Sequence, residues 1–270
     1  MQEKYGMMLK DFNCIDENMR NWILPGRTKP YVMAHRGDSV YCPENTLAAF
    51  RKAIADGADI LETDLHLSRD GEMMCIHDAS VDRTTDGRGL VADMSAGELR
   101  SLNAGVHFPA FQQERIPTLA ELIAILPENV ALALELKTDR FLEAGVCQHL
   151  VEILDQSGLR TRTVVISFNL ARLKTLQKVA PDLPVGLITM NRLFTSLQTQ
   201  FIGPFWIWLF INPFFVWQAH LFGQWVCPLD MQPLLRLRFY CWLGCDVILS
   251  NHPAEIMRAL KRSPESIKEG

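Results

Sequence analysis

A small set of side chains in the first half of the chain has the types and spacing of a reaction centre. His35 directly precedes Arg36, Glu62 and Asp64 stand two residues apart, His77 precedes Asp78, and Glu135 and Lys137 repeat the two-residue step. On an extended strand, residues two apart face the same side, so each pair can act at one point. Three carboxylates brought to that point repel one another unless a cation or a bound proton intervenes. Oxygen-only donors favour a hard ion, Ca²⁺ or Mg²⁺, over zinc. Two histidines beside such an ion can serve as acid and base, because imidazole titrates near neutral pH. Arg36 and Lys137 add positive charge suited to an anionic substrate, phosphate above all. The chemistry indicated is metal-assisted phosphoryl transfer.

Such a set needs elements that bring four sequence-distant pairs together. Short apolar runs alternate with segments of helical period, the pattern of βα repeats around a parallel sheet. Strands are expected at 31–34, 58–68, 72–78, 130–137, 163–168, 184–189, 206–211, 224–228 and 246–250. Helices fit at 45–56, 118–126, 140–157, 169–179, 213–222, 231–243 and 253–262. About eight strand–helix units result, which suits a TIM (βα)8 barrel, where reactive groups stand at the C-terminal ends of strands. The stretch 79–117, rich in Asp, Gly, Arg and Thr, reads as a small insertion after the second unit. Residues 1–30 read as an N-terminal extension and 31–262 as the barrel. No GxGxxG or GxxxxGK[ST] motif supports a nucleotide-binding sheet.

Composition narrows the partners. A net charge of −4 with no Lys/Arg block argues against nucleic acid. The seven cysteines form no CxxC motif, so reduced thiols are expected rather than a zinc site. MQEKYGMMLKDFN has no apolar core of a signal peptide, which makes a cytoplasmic location the expectation. Arg36-Gly37-Asp38-Ser39 spells a cell-adhesion loop, but its flanks place Arg36 beside His35 at a strand end. An adhesion module would need Arg36-Gly37-Asp38 on an exposed tip.

The tract 193–229 contains no Asp, Glu, Lys or Arg and holds four of the six tryptophans. Pro204, Asn212-Pro213 and Gln218-Ala219-His220 interrupt it too often for a membrane span of about 20 apolar residues. It reads as barrel units with a strongly apolar loop, or as a patch (201–226) making peripheral contact with a membrane.

The blocks AHRGDSVYCPENTLAAF, GADILETDLHLSRDG, CIHDASVDRTTDGRG and LALELK resemble the glycerophosphodiester phosphodiesterase family. The likeness extends to a PTL-x-EL stretch at 117–122, Ser167-Phe168 and a final DVILSNHP, and 79–105 corresponds to the family's small insertion. The resemblance implies a (βα)8 barrel that uses a divalent cation to hydrolyse glycerophosphodiesters to glycerol 3-phosphate and an alcohol. Matched motif by motif, it places His35 and His77 as catalytic histidines, and Glu62, Asp64 and Glu135 as metal ligands. Arg36 and Lys137 become phosphate contacts. Glu44 and Asn45, in the family's ENT block, support the site or contact glycerol. Trp225 is the retained part of a substrate-contacting block on the seventh strand.

The resemblance also implies a route through a cyclic phosphate formed by the substrate's own glycerol 2-hydroxyl. Which histidine is acid and which base stays open, with His77 preferred as leaving-group acid. An apolar rim beside the mouth would suit a lipid-bearing diester, so lysophospholipase D-type cleavage at a membrane surface is the alternative.

Overall fold

The computed structural model describes residue 24 and residues 27–195 and 198–262. Among these are nine strands: β1 (Tyr31–Ala34), β2 (Ile60–Leu67), β3 (Met73–Cys75), β4 (Ala131–Leu136), β5 (Thr163–Ser167), β6 (Val185–Thr189), β7 (Phe201–Pro204), β8 (Trp225–Val226) and β9 (Val247–Ser250). Eight run parallel in the order β8-β7-β6-β5-β4-β2-β1-β9, a nearly closed barrel, while β3 lies antiparallel on β2. The seam between β8 and β9 is bridged by Asp246, whose amide donates to Val226 O at 3.0 Å and whose carboxylate accepts from Val226 N at 2.8 Å.

Strands covered on both faces are apolar almost throughout. In β2 the residues alternate between two environments. Leu61 and Leu65 face the helices with Leu132 and Leu134, whereas Ile60 joins Tyr31, Met33, Ala131, Ala133 and Trp225 inside the barrel. The helices are α1 (Leu47–Ala55), α2 (Ala96–Ser101), α3 (Leu119–Ala124), α4 (Ala144–Gln156), α5 (Leu170–Val179), α6 (Ile207–Ile211), α7 (Phe215–Leu221), α8 (Leu237–Leu243) and α9 (Pro253–Ala259).

One expected strand is a helix. The run 206–211 forms α6, and the barrel strand is β7, five residues earlier, paired to β6 through Gly186–Phe201 and Thr189–Pro204. A short apolar run does not distinguish strand from helix by periodicity. What separates them is that Leu209, Phe215, Val216 and Ala219 cover the barrel at helical spacing.

The stretch 79–117 contributes Val81, Val91, Leu99, Ala104 and Ile116 to an apolar cluster of its own with Met74 and Ile76. Of the expected extension 1–30, residues 1–23, 25 and 26 lie outside the described residues, Cys14 among them. Arg27 reaches Asp59 at 3.1 Å on the barrel floor, and Leu24 N donates to the Tyr31 hydroxyl at 3.3 Å. The other six cysteines are free thiols.

Candidate active site

The register of the sheet assembles the acids. Glu62 and Asp64 lie two apart on β2, facing the lumen, and Asp64 pairs directly with Glu135 of β4. Glu62, Asp64 and Glu135 are buried and offer carboxylate oxygens all within 4.8 Å of one another. Glu62 Oε1 and Asp64 Oδ1 accept no hydrogen bond. Burial, reinforced by the neighbouring carboxylates, pushes Glu62 well above the ordinary glutamate range, and Glu135 is raised for the same reasons. Burial pushes Asp64 up as well, but the charges of Arg36 and Lys137 outweigh it and hold its pKa low. Buried, mutually repelling and partly unpartnered oxygens are a donor set that fits a hard divalent cation.

The first strand ends in a turn that aims its residues at those acids. Arg36 takes the left-handed conformation, φ 57°, and its amide donates to Glu62 Oε2 at 2.8 Å. Its Nε lies 3.1 Å from Asp64 Oδ2, an ion pair without hydrogen-bond alignment. Gly37 follows at φ 80°, so close to α1 that a Cβ would stand 2.6 Å from the Ala49 backbone. Only glycine fits there. Asp38 turns inward after Gly37. It is fully buried, accepting from Tyr41 N at 3.2 Å and meeting His252 Nδ1 at 3.1 Å. A buried aspartate cannot serve as an adhesion handle.

The ENT block works on the same site. Glu44 bonds Arg36 Nη1 at 3.0 Å. Asn45, also left-handed, donates to Asp64 Oδ2 at 2.8 Å and accepts from Thr63 Oγ1 at 2.7 Å. Thr46 caps α1 by accepting from Ala49 N. Lys137 lies 2.8 Å from Glu135 Oε1 and 3.4 Å from Asp64 Oδ1.

His35 and His77 are each held through Nδ1, which leaves their Nε2 atoms for the cavity they line. His35 Nδ1 meets Asn251 Oδ1 at 2.6 Å, so this nitrogen carries the proton. Burial, with the adjacent Arg36 charge, lowers His35 to about 4. His77 Nδ1 meets Asp78 Oδ1 at 2.6 Å. Asp78 is lowered to about 2, chiefly by its hydrogen bond from Arg83. Arg83 Nε lies 2.5 Å from Asp78, and its Nη atoms reach both Glu44 oxygens at 2.7 and 2.9 Å.

His35, Arg36, Glu62, His77, Glu135 and Lys137 line one cavity of about 150 Å³. Its opposite wall is apolar, formed by Phe168, Ile188, Leu229, Met231 and Leu249 among others. Trp225 is absent from it, contrary to expectation. It opens β8 at the far end of the barrel, stacked on Tyr31 at 5.6 Å, with Lys29 Nζ 3.7 Å from its ring centre. Every second residue of a strand faces inward, so the positions nearer the mouth fall to Cys227 and Leu229.

Residues 35–202 match the pattern of the glycerophosphoryl diester phosphodiesterase family. The chain belongs to that family. A glycerophosphodiester phosphodiesterase of Caldanaerobacter subterraneus is 41% identical over 162 residues, 59% of this chain and 67% of that protein. A glycerophosphodiester phosphodiesterase 1 from Bos taurus is 37% identical over 135 residues, 48% of this chain and 41% of its own length. The matches thus span about two thirds or less of these relatives. A solved phosphodiesterase from Oleispira antarctica, in complex with the product sn-glycerol-3-phosphate, superposes with a TM-score of 0.77 at 30% identity, covering 86% of this chain and 97% of that one.

Sequence reasoning missed Asn251 and Arg83 as partners of this phosphodiesterase-family site. Asn251 stands in the DVILSNHP block, and Arg83 in the block that follows His77, so both lay inside segments already singled out. What was lacking was the pairing across 216 residues for Asn251 and 39 for Arg83.

Proposed function

We propose that this chain, a phosphodiesterase by family, hydrolyses glycerophosphodiesters to glycerol 3-phosphate and an alcohol, using one divalent cation, Ca²⁺ or Mg²⁺. The observation that carries the reading is the buried Glu62–Asp64–Glu135 cluster, with unpartnered oxygens, of which Glu62 and Glu135 line one cavity with two histidines held by their Nδ1 atoms. Glu62, Asp64 and Glu135 would hold the cation, which when bound supplies positive charge against the phosphoryl oxygens. Arg36 and Lys137 add to that charge and orient the phosphate.

His35, neutral above about pH 4 and protonated on Nδ1, presents a free Nε2 lone pair. It takes the proton of the glycerol 2-hydroxyl, whose oxygen bonds to phosphorus. His77, oriented by Asp78 at its Nδ1, gives its Nε2 proton to the departing alcohol oxygen as the P–O bond breaks. With the roles reversed, His77 takes a proton from water, which opens the cyclic phosphate, and His35 returns one to the 2-oxygen. Glu44 and Asn45 act by orienting Arg36 and Asp64.

The test is release of glycerol 3-phosphate from glycerophosphocholine with and without EDTA, for wild type, His35→Ala and His77→Ala. Full activity in EDTA or in either variant would falsify this mechanism. Restoring the stripped enzyme with Ca²⁺ or Mg²⁺ then identifies the ion.

A second substrate reading rests on the apolar cavity wall, where Phe168 and Met231 are also exposed at the rim. An acyl chain on the leaving alcohol would lie against those side chains, so lysophospholipids at a membrane surface are the alternative substrate. Comparing glycerophosphocholine with lysophosphatidylcholine separates the two.

A further inference from the structure

The apolar wall of the cavity continues onto the outside of the barrel. Met231 lines both the catalytic cavity and a neighbouring groove with Val40, Leu234 and Leu235. Beyond it an aromatic ladder crosses from α6 to α8. Trp206 meets Phe210 edge-on at 5.8 Å, Phe210 stacks on Phe239 at 4.1 Å, and Phe239 stacks on Trp242 at 6.0 Å. Trp208 Nε1 donates to Met190 O, and Asn212 Nδ2 to Leu193 O, which ties α6 to the loop after β6 at the barrel mouth.

Large apolar side chains stand outward along this surface: Leu235 is 75% exposed, Trp242 73% and Phe214 66%. Ile211, Trp217 and Leu221 continue it along α6 and α7. So many exposed apolar residues in one region call for a partner.

The charges say which partner. Residues 193–229 contain no charged residue, and 231–245 contain no acid. Asp230 is buried between Arg236 and the Tyr240 hydroxyl, and Arg236 lies against Trp206. Within residues 190–245 the exposed charged residues are Arg192 and Arg238, both positive. One exposed acid, Glu255 of α9, lines the groove beside Leu234 and Leu235. A second copy of the chain would bring the same arginines to the contact, since a two-fold interface matches a patch with itself. A surface with negative charge outside and hydrocarbon beneath satisfies both the arginines and the aromatics. No helix among the described residues is long and apolar enough to cross a membrane, so insertion would be shallow.

We infer that the α6–α7–α8 surface docks the enzyme onto an anionic lipid bilayer with the catalytic mouth beside the headgroups. This extends the lysolipid reading above, on which its purpose rests. The test uses the full chain with vesicles of phosphatidylcholine alone and of phosphatidylcholine with phosphatidylglycerol. Wild type should co-sediment with the anionic vesicles. Ile211→Ser/Phe214→Ser/Trp217→Ser should weaken partitioning about 10-fold or more, given the apolar area withdrawn, and Arg192→Glu/Arg238→Glu should remove the preference for anionic lipid. Circular dichroism and hydrolysis of water-soluble glycerophosphocholine should stay unchanged in both, because none of these residues reaches the site. Absence of wild-type binding to either vesicle, or unchanged binding of both variants, overturns the inference. So does a solution dimer that the triple variant abolishes, which would assign the patch to a second copy. Docking without hydrolysis of either diester upholds the surface and sinks the catalytic reading alone.

Discussion

Asn251 Oδ1 accepts from His35 Nδ1 at 2.6 Å across 216 residues of sequence, joining the end of the last barrel strand to the end of the first. The bond fixes the tautomer and adds no charge. His35 therefore stays far below an ordinary histidine, at about 4, under burial and the Arg36 charge. His77 has the opposite arrangement, with a carboxylate at 2.6 Å. One imidazole is held by a neutral amide and the other by a carboxylate, so the two rings sit in different surroundings.

The contrast can be tested by exchanging it. Asn251→Asp places a negative charge on His35 Nδ1 and raises its pKa toward the ordinary value. With the cation saturating, the acid limb of the kcat/KM profile should move from about pH 4 toward pH 6.5, since His35 must lose its proton to act as base. Asn251→Ala should lower kcat about 10- to 100-fold with little change in KM, by freeing the ring. An acid limb unmoved in Asn251→Asp would show that His35 is not the base.

Arg83 does not line the cavity and meets the site through Asp78 and Glu44. Its Nε bonds Asp78 while its Nη atoms grip Glu44, so one side chain braces His77 and, through Glu44, Arg36. Arg83→Ala should cost about 10- to 100-fold in kcat. Arg83→Lys keeps the charge but cannot span both carboxylates, so it should recover only part of the loss. Because Arg83 is half-exposed, thermal stability should change by less than about 1 kcal/mol. A large fall in Tm would mark the residue as structural instead.

The acid cluster makes a stability prediction as well as a catalytic one. Glu62 and Glu135 have raised pKa values in the folded protein. The folded state thus holds protons that the unfolded chain releases near the usual glutamate value. Stability from these two groups is complete below that value and is lost as pH rises through the folded values. In EDTA at neutral pH, Glu62→Gln should therefore raise Tm while abolishing activity. Added Ca²⁺ or Mg²⁺ should stabilise wild type, by about 2.7 kcal/mol at a hundred times Kd, and Glu62→Gln much less. If Glu62→Gln lowers the Tm of the stripped protein, the carboxylates are not under mutual strain.

The sequence pattern carried much of this site and little of its bracing. Glu62 and Asp64 could be placed on one face of β2 because strand period is local. His35 and His77 could be placed at strand ends because apolar runs stop there. Trp225 falls outside the cavity because depth inside a barrel depends on the stagger of neighbouring strands, which no local pattern records. Strand β7 was misplaced for a related reason: 206–211 is more apolar than Phe201–Pro204, yet backbone pairing with β6 selects the latter. Asn251 and Arg83 act through contacts closed only by the folded barrel.

Asp246 shows the same principle at the barrel seam, where β8 has only two residues. Its carboxylate accepts from Val226 N at 2.8 Å and His220 Nε2 at 2.9 Å, and pairs with Lys29 at 2.7 Å. Burial pushes its pKa up, but the His220 bond and the Lys29 charge outweigh burial and hold it below the ordinary value. A lowered carboxyl pKa means stability present above the unfolded value and lost as pH falls through the folded one. Asp246→Ala leaves Val226 N without that acceptor and should cost about 2 kcal/mol, with Lys29 and His220 partly compensated by water. Asp246→Asn keeps an acceptor for Val226 N but loses the charge, so it should cost less and flatten the decline in stability below about pH 4. Denaturant midpoints at pH 7 and pH 3.5 measure both effects. Equal losses in wild type and Asp246→Asn between those pH values would mean that the seam is held by backbone pairing and not by this carboxylate.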